Sequence, residues 1–438
     1  MQKRVASWQK KGVERGMHLI EQVINPANLK MAMNRVIQNK GNPGTDGMTV
    51  DQLEDHVRKY AMPLIQKIRN GSYEPLPVKR VEIPKGNGKM RKLGIPSVRD
   101  RMVQQAILQV IEPIIDPHFS EYSYGFRRER NAKQAIKQAA AFYDEGYRFV
   151  VDVDLERYFD TIPHQKLMNV LKGMIDDPVI LTLIWKFLKS GIMEGLTWTE
   201  SKNGAPQGGN LSPLLSNVYL NELDQELEKR GHRFIRYADD FCIYVKSRRA
   251  AERVLRNTTD FLEHTLKLKV NEEKSAVGSP MKRKFLGFCL HKVNNETKCR
   301  PSQASKKRFK EKLKYATRRN QANSFSFIIR KINQITVGWI NYYGISYMKG
   351  FIKSIQQWLH HRLRQLIWKQ WRQVKTRYRN LMKYGIESEE AWKMANTRKG
   401  YWRASFNHVL HKAIKVEKLA GWGLKDLSQL YERAYSAY

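Results

Sequence analysis

Three aspartates stand where a carboxylate is costly unless it holds a cation. Tyr237-Ala238-Asp239-Asp240 interrupts an apolar run, with Phe234-Ile235-Arg236 before it and Phe241-Cys242-Ile243-Tyr244-Val245 after it. A second apolar stretch, Phe149-Val150-Val151-Asp152-Val153-Asp154-Leu155, carries two more aspartates. Hard divalent cations are held by convergent carboxylates. Two such ions between three carboxylates, one activating a 3′ hydroxyl and the other holding a triphosphate, make up the machinery of nucleotidyl transfer. Paired Asp residues also suit an ordinary solvated turn. The second acidic strand argues against that reading, because unpaired carboxylates on an apolar strand are destabilising and a metal between Asp154 and the Asp239-Asp240 turn relieves both sites.

Positioning these groups takes a β-hairpin that turns at the aspartate pair and a strand beside it. Successive strand residues point to opposite faces, so Asp152 and Asp154 share a face, whereas Asp239 and Asp240 converge only at a tight, strained turn. Upstream, Asn25-Pro26 caps a helix over 27–39, followed by the turn-rich GNPGTDGMT, strands over 78–83 and 92–95, and a helix over 100–111 ending at Pro113. Strands and helices keep alternating to about residue 290, which predicts an α+β domain. Residues 1–24, opening MQKRVASWQKKGVERG, read as a basic N-terminal extension, either a poorly ordered arm or a frayed helix. Beyond Pro301 the composition changes, with 29 Lys and Arg against 7 Asp and Glu and seven of the ten Trp. There Phe351, Ile355, Leu359, Leu363, Leu366 and Ile367 recur at helical spacing with Arg362, Arg364, Lys369, Arg372 and Lys375 between them, an amphipathic helix with a basic outer face.

With 79 Lys and Arg against 42 Asp and Glu, the 438-residue chain carries a formal charge of +37 and is still 41% hydrophobic, enough to bury cores. Such a charge points to a polyanion, and the length of basic surface favours nucleic acid over a small acidic substrate. No run of about 18 apolar residues and no signal-peptide core follow Met1, so neither membrane spanning nor secretion is expected. Cys242, Cys289 and Cys299 are an odd, sparse set that suits a reducing cytoplasm. Cys289 and His291 with Cys299 offer three zinc ligands but no fourth in register, so hairpin or core cysteines are expected.

Seven segments then line up: RVEIPKGNGKMRKLGIPSVRDRMVQQAI (80–107), YSYGFRRERNAKQAI (122–136), VVDVDLERYFDTIPH (150–164), GAPQGGNLSPLLSNVYLNELD (204–224), RYADDFCIYVKS (236–247), LKLKVNEEKS (266–275) and FLGFCL (285–290). In order and spacing they resemble the palm and finger blocks of reverse transcriptases, specifically the proteins encoded by bacterial group II introns. VGWINYYG (337–344) and ANTRKGYWR (395–403) resemble the thumb, or maturase, region and the DNA-binding tail of the compact class-C members.

The resemblance implies a right-hand polymerase fold, with fingers and an antiparallel catalytic palm over 25–300, a helical thumb over 301–380 and a small helical DNA-binding tail over 381–438. It implies that Asp154, Asp239 and Asp240 bind two Mg²⁺, with Mn²⁺ as a substitute and the Leu155 carbonyl as an extra ligand. Asp152 is left out, because in the D-x-x-x-x-F pattern Asp154 stands five positions before Phe159. Phe159 would obstruct a ribose 2′ hydroxyl, Gln207 would lie against the incoming sugar and base, and Lys85 and Arg91 would grip the triphosphate. A two-residue Asn-Gly turn would put Lys85 opposite Met90 and turn Arg91 away; a three-residue Gly86-Asn87-Gly88 loop gathers Lys85, Lys89 and Arg91, and is the expected form. Lys89 either joins that grip or is a solvated turn lysine. Lys274 either approaches the primer and nucleotide or pairs with Glu272 or Glu273.

The chain has no Cys after Cys299, and the resemblance therefore implies no metal-bound endonuclease domain and priming from a pre-existing DNA end. The function so implied is an RNA-directed DNA polymerase and maturase in a bacterial cytoplasmic, nucleoid-associated ribonucleoprotein. Its partners would be group II intron RNA, an RNA template with a DNA or RNA primer, target DNA and deoxynucleoside triphosphates, with no membrane. Two other readings share the motifs: a domesticated reverse transcriptase in defence or repair, and a splicing-only RNA-binding maturase.

Overall fold

The computed structural model describes residues 18–84, 90–195 and 197–437, and the chain divides into two compact units, Met1–Ser279 and Pro280–Tyr438.

In the first unit the expected early helix spans Pro26–Gln38 (α1), with the Asn25 side chain accepting from the Ala27 N–H at 2.9 Å. The helical pattern starts sooner than the basic opening suggests. A short helix over Leu19–Ile24 buries Ile20, Val23 and Ile24, because apolar residues one turn apart outweigh the polar residues before them. This corrects the reading of an extension reaching residue 24. Strands β1 (Val78–Pro84) and β2 (Met90–Ile95) form an antiparallel pair. Helix α2 (Val98–Ile115) then runs through Pro113 instead of stopping there. Ile111 and Ile115, one turn apart, are both fully buried, and burying such a side chain, worth roughly 1.5–3 kcal/mol, offsets the helical hydrogen bond that proline forgoes.

Strand β3 (Phe149–Val153) leads into the short α3 (Tyr158–Thr161), α4 (His164–Lys172) and α5 (Pro178–Lys189). Strands β4 (Ile192–Glu194) and β5 (Thr197–Thr199) complete a sheet of order β2-β1-β4-β5. After α6 (Ser212–Lys229) come β6 (Arg233–Tyr237), β7 (Asp240–Val245) and β8 (Ala276–Gly278), which join β3 in an antiparallel sheet of order β6-β7-β3-β8. One apolar core, from Ile20 to Val270, packs α1, α2, α4, α5 and α6 around these strands.

The second unit opens with the hairpin β9 (Phe288–Val293) and β10 (Glu296–Pro301), followed by α7 (Gln303–Ala316), α8 (Phe325–Tyr343), α9 (Lys349–Gln370), the short α10 (Tyr401–Ala404) and α11 (Leu427–Ser436). The break thus falls ahead of residue 300. The hairpin packs with the helices, Phe288 against Tyr342 and Tyr343, and Cys299 O accepts from the Tyr347 N–H. Register sets Arg300 opposite Cys289, Cys299 opposite Leu290 and Lys298 opposite His291, so Cys299 lies on the other face from Cys289 and His291. A single core from Phe309 to Tyr431 spans both the expected thumb and the expected tail, so residue 381 marks no break in packing. On α9, Ile355, Leu359, Leu363, Leu366 and Ile367 are buried as their spacing requires, whereas Phe351 is only partly buried and its neighbour Ile352 takes the buried place. Arg364 belongs with them rather than on the basic face: it is 4% exposed and donates Nε to Ile414 O at 3.0 Å. Among the described residues no helix is long and apolar enough to cross a membrane.

Candidate active site

Tyr237 pairs with Asp240, which makes Ala238 and Asp239 the two residues of the β6–β7 turn. Ala238 takes φ 59°, a left-handed conformation that a residue with a Cβ resists. A buried network holds it there. Arg236 and Asp224, both fully buried, pair through Nη2 and Oδ2 at 2.5 Å. The same guanidinium donates Nη1 to the Ala238 carbonyl at 3.1 Å and to Asn217 Oδ1 at 2.8 Å. Asn217 Nδ2 in turn donates to Gly125 O at 2.8 Å. Gly125 must be glycine, since a Cβ there would stand 2.2 Å from the Ala238 nitrogen. The sequence signal for Arg236 is a charge set against the apolar Phe234-Ile235 and Phe241-Cys242-Ile243, with Asp224 in the helical block upstream.

The strand register carries Asp154, the residue after Val153↔Phe241, to the level of Asp240. The Asp154 segment is fastened on its far side: its N–H donates to Ser275 Oγ at 3.0 Å and its carbonyl accepts from Asn271 N–H at 2.8 Å. Leu155 bridges Val270, but the flanking Asp154 O and Glu156 N make the hydrogen bonds, which turns the Leu155 carbonyl away from that neighbour. Burial raises the Asp239 carboxyl above the ordinary carboxylate range; its own backbone N–H and Arg91 oppose this, and the Asp154 charge reinforces it. Lys274 places Nζ 2.9 Å from Asp154 Oδ2, which brings its ammonium to the carboxylate pair. Two acidic side chains, with the Asp154 charge close enough to raise Asp239 and a lysine ammonium as stand-in cation on Asp154, are a donor set that fits a divalent ion. Asp240 is not gathered with them: among the described residues no three His, Cys, Asp or Glu side chains form a metal-sized cluster.

Arg91 and Gln207 meet directly, Nε donating to Oε1 at 3.0 Å across 116 positions of sequence. Ile83 stands opposite Arg91 and Pro84 opposite Met90, whereas a two-residue Asn-Gly turn would set Pro84 against Arg91. Lys85 and Lys89 lie outside the described residues. The Gln207 loop is sewn to the strand before it: Gly94 N–H donates to Gln207 O at 2.8 Å, and a Cβ on Gly208, at φ 127°, would stand 2.2 Å from Gly94 O. The same loop is sewn to Phe159. Ala205 N–H donates to Phe159 O at 2.7 Å and Gly204 N–H to Ile162 O at 2.8 Å. His164 Nε2–H, on a ring that burial holds neutral, donates to Gly204 O at 2.6 Å. His164 is thus a further positioning group, and only its place in the FDTIPH run hinted at it. Tyr158, not Phe159, is the core aromatic with a fixed polar tip, its hydroxyl donating to Ser216 O at 2.8 Å. Phe159 keeps 8% of its surface exposed against 2% for Tyr158. Arg91 beside Asp239 offers a cation for a polyanionic substrate next to a metal-ready carboxylate pair.

Residues 83–290 match the family model described as reverse transcriptase (RNA-dependent DNA polymerase), and residues 306–385 match that of the group II intron maturase-specific domain. Protein YkfC of Escherichia coli (strain K12) is 35% identical over 318 residues, 63% of this chain and 84% of that protein. The group II intron-encoded protein LtrA of Lactococcus lactis subsp. cremoris is 29% identical over 355 residues, 66% of this chain and 59% of LtrA. The putative COX1/OXI3 intron 2 protein of Saccharomyces cerevisiae is 29% identical over 322 residues, 59% of this chain and 37% of that protein. The chain therefore spans most of YkfC and a little over half of LtrA.

Proposed function

This chain belongs to the group II intron-encoded reverse transcriptases, carrying a reverse transcriptase domain followed by a maturase-specific domain, and we propose that it copies intron RNA into DNA and assists intron splicing and mobility. The observation that carries the polymerase reading is the Arg91–Gln207 contact beside Asp239. Strand β2, the Gln207 loop and the β6–β7 turn lie far apart in sequence, and they meet where an incoming nucleotide would be held against carboxylates.

The family uses divalent metal ions. Here we assign two Mg²⁺, replaceable by Mn²⁺, to Asp154 and Asp239 with the Leu155 carbonyl, and to Asp240, which would have to move toward that pair as the ions bind. When bound, such ions lower the pKa of a primer 3′ hydroxyl and offset charge developing on the triphosphate. The chain's own residues do the rest. Arg91, with Lys85, neutralises and orients the triphosphate; Gln207 lies along the sugar and base; Phe159 closes the space a 2′ hydroxyl would need; and Arg236 keeps the turn in its strained form so that Asp239 is placed before any ion arrives. Residues 301–380 serve as thumb and residues 381–438 as a DNA-binding tail, their +22 charge matching template, intron RNA and target DNA. The resemblance to LtrA supports work in a bacterial cytoplasmic ribonucleoprotein. The test is extension of a DNA primer annealed to an RNA template with deoxynucleotides and Mg²⁺. RNA binding without extension would leave a splicing-only protein in its place.

A further inference from the structure

In the second unit, an aromatic stack stands open at the surface. The His361 ring, on α9, lies parallel to Phe406 at 3.9 Å between centroids and 24° between planes. Trp402, on α10, sets its edge against the same phenyl ring at 5.0 Å and 82°. Phe406 is thus stacked on His361 and set edgewise to Trp402, yet 52% of the residue remains exposed and open to a further ring. The stack is held rigid from below. His361 Nδ1 and His411 Nε2 both bond the Ser405 carbonyl, at 3.1 and 2.9 Å, and Ser405 Oγ donates to Trp402 O at 2.7 Å.

Its surroundings are strongly basic. No Asp or Glu occurs between Glu390 and Glu417, whereas Arg398, Lys399 and Arg403, all exposed, lead into and lie on α10. Glu390, the acid that precedes this stretch, already bonds His408 at 3.0 Å and Lys412 at 3.5 Å. An exposed, preformed aromatic stack in a basic stretch of chain fits neither an acidic peptide, which needs no ring face, nor a lipid surface, which needs a broader apolar area. It fits an unpaired nucleobase continuing the stack while its phosphates meet the cations.

We propose that His361, Phe406 and Trp402 form a stacking site for an unpaired base of a bound nucleic acid strand, so that this region distinguishes single-stranded or bulged segments from continuous duplex. The proposal rests on the reading of residues 381–438 as nucleic-acid-binding and narrows it.

The experiment uses the full chain. Affinities for a fluorescein-labelled single-stranded oligodeoxynucleotide and for the matching blunt duplex are measured by anisotropy at one salt concentration. A single 2-aminopurine in the strand reports stacking through quenching. Phe406→Leu and Trp402→Leu should weaken single-strand binding roughly five- to a hundredfold, relieve the 2-aminopurine quenching and leave duplex affinity unchanged. Phe406→Tyr, which retains a ring, should restore both. Both variants replace exposed rings, and circular dichroism verifies their fold. Unaltered quenching in both variants, or equal losses on strand and duplex, would overturn the stacking site while leaving the nucleic-acid-binding reading intact. A wild-type chain that bound neither oligonucleotide would overturn both.

Discussion

The two units treat charge in opposite ways. In the first, ionic and polar groups are taken fully out of water and joined: Arg236 with Asp224 and Asn217, and Asp100 with Tyr73 at 2.6 Å and Ser97 at 2.7 Å. In the second, the excess of cations lies mostly on the surface, over a core that is apolar except for a few groups such as Arg364 and His360. Buried pairs contribute little net stability, because desolvation consumes most of the Coulombic gain. What they provide is geometry, and a site that must hold carboxylates in a strained turn needs geometry. Surface cations keep their hydration and remain free to meet a polyanion, which suits binding without fixed register. A reactive centre and a binding face can therefore be told apart by where the charges sit.

The contrast is sharpest at Asp239. Asp239→Asn should abolish primer extension and leave affinity for structured RNA intact, since the carboxylate serves chemistry and the cations serve binding. Extension above about a tenth of wild type would remove Asp239 from the metal site. A parallel loss of RNA affinity would erase the division between the units.

Arg236→Met strands Asp224 as a buried, unpaired carboxylate. The expected cost is about 3–5 kcal/mol, confined to the first unit. Limited proteolysis should then cut residues 90–279 well before the helices of the second unit. A variant as protease-resistant as wild type would show that the network is dispensable for the fold. If Asp224→Asn, which keeps the side chain's shape, lowers kcat with little change in nucleotide KM, the network acts on the turn rather than on substrate binding.

On the proposed role, Arg91→Ala would remove a charge-assisted contact to triphosphate worth roughly 1.5–3 kcal/mol, so kcat/KM should fall about ten- to a hundredfold, mainly through nucleotide KM. Single-turnover extension at increasing deoxynucleotide concentration separates the two terms. An unchanged KM would mean that Arg91 serves only to fix Gln207.

The smallest effect lies in the second unit. Burial and then the Arg364 charge lower the His360 pKa from 6.5 to about 4. The folded state therefore resists a proton that the unfolded chain accepts: the associated stability is complete above the unfolded value and is lost as pH falls from 6.5 toward 4. His361 and His411 shift the same way, each chiefly through burial. Thermal unfolding should thus weaken between pH 7.5 and pH 5, by about 2–4 °C for each kcal/mol lost, and His360→Gln should flatten that slope. A slope untouched by the substitution would assign the acid sensitivity to other groups.

Much of this architecture was legible in residue order. Alternation placed Asp154 at the end of a strand and the Asp239-Asp240 pair at a hairpin turn, where adjacent carboxylates require backbone strain, and Ala238 shows that strain. Helical spacing found α1 and the apolar face of α9, because both signals depend on neighbours within a few residues. Arg364 was misplaced by the same rule: it has the spacing of a solvated residue, and only the Ile414 carbonyl, brought up from fifty positions away, makes its burial tolerable. The division at Ser279 and the single core shared by residues 301–380 and 381–438 escaped composition too, since a change in charge marks a surface and not where packing ends. Sequence alone thus determined which chemistry was available and which faces were apolar, both local consequences of side-chain type and backbone period. Tertiary structure alone decided that Arg91 meets Gln207, that His164 holds the Gly204 carbonyl and that Arg236 pairs with Asp224 and Asn217, because each contact joins groups whose proximity exists only after the chain has closed the loops between them.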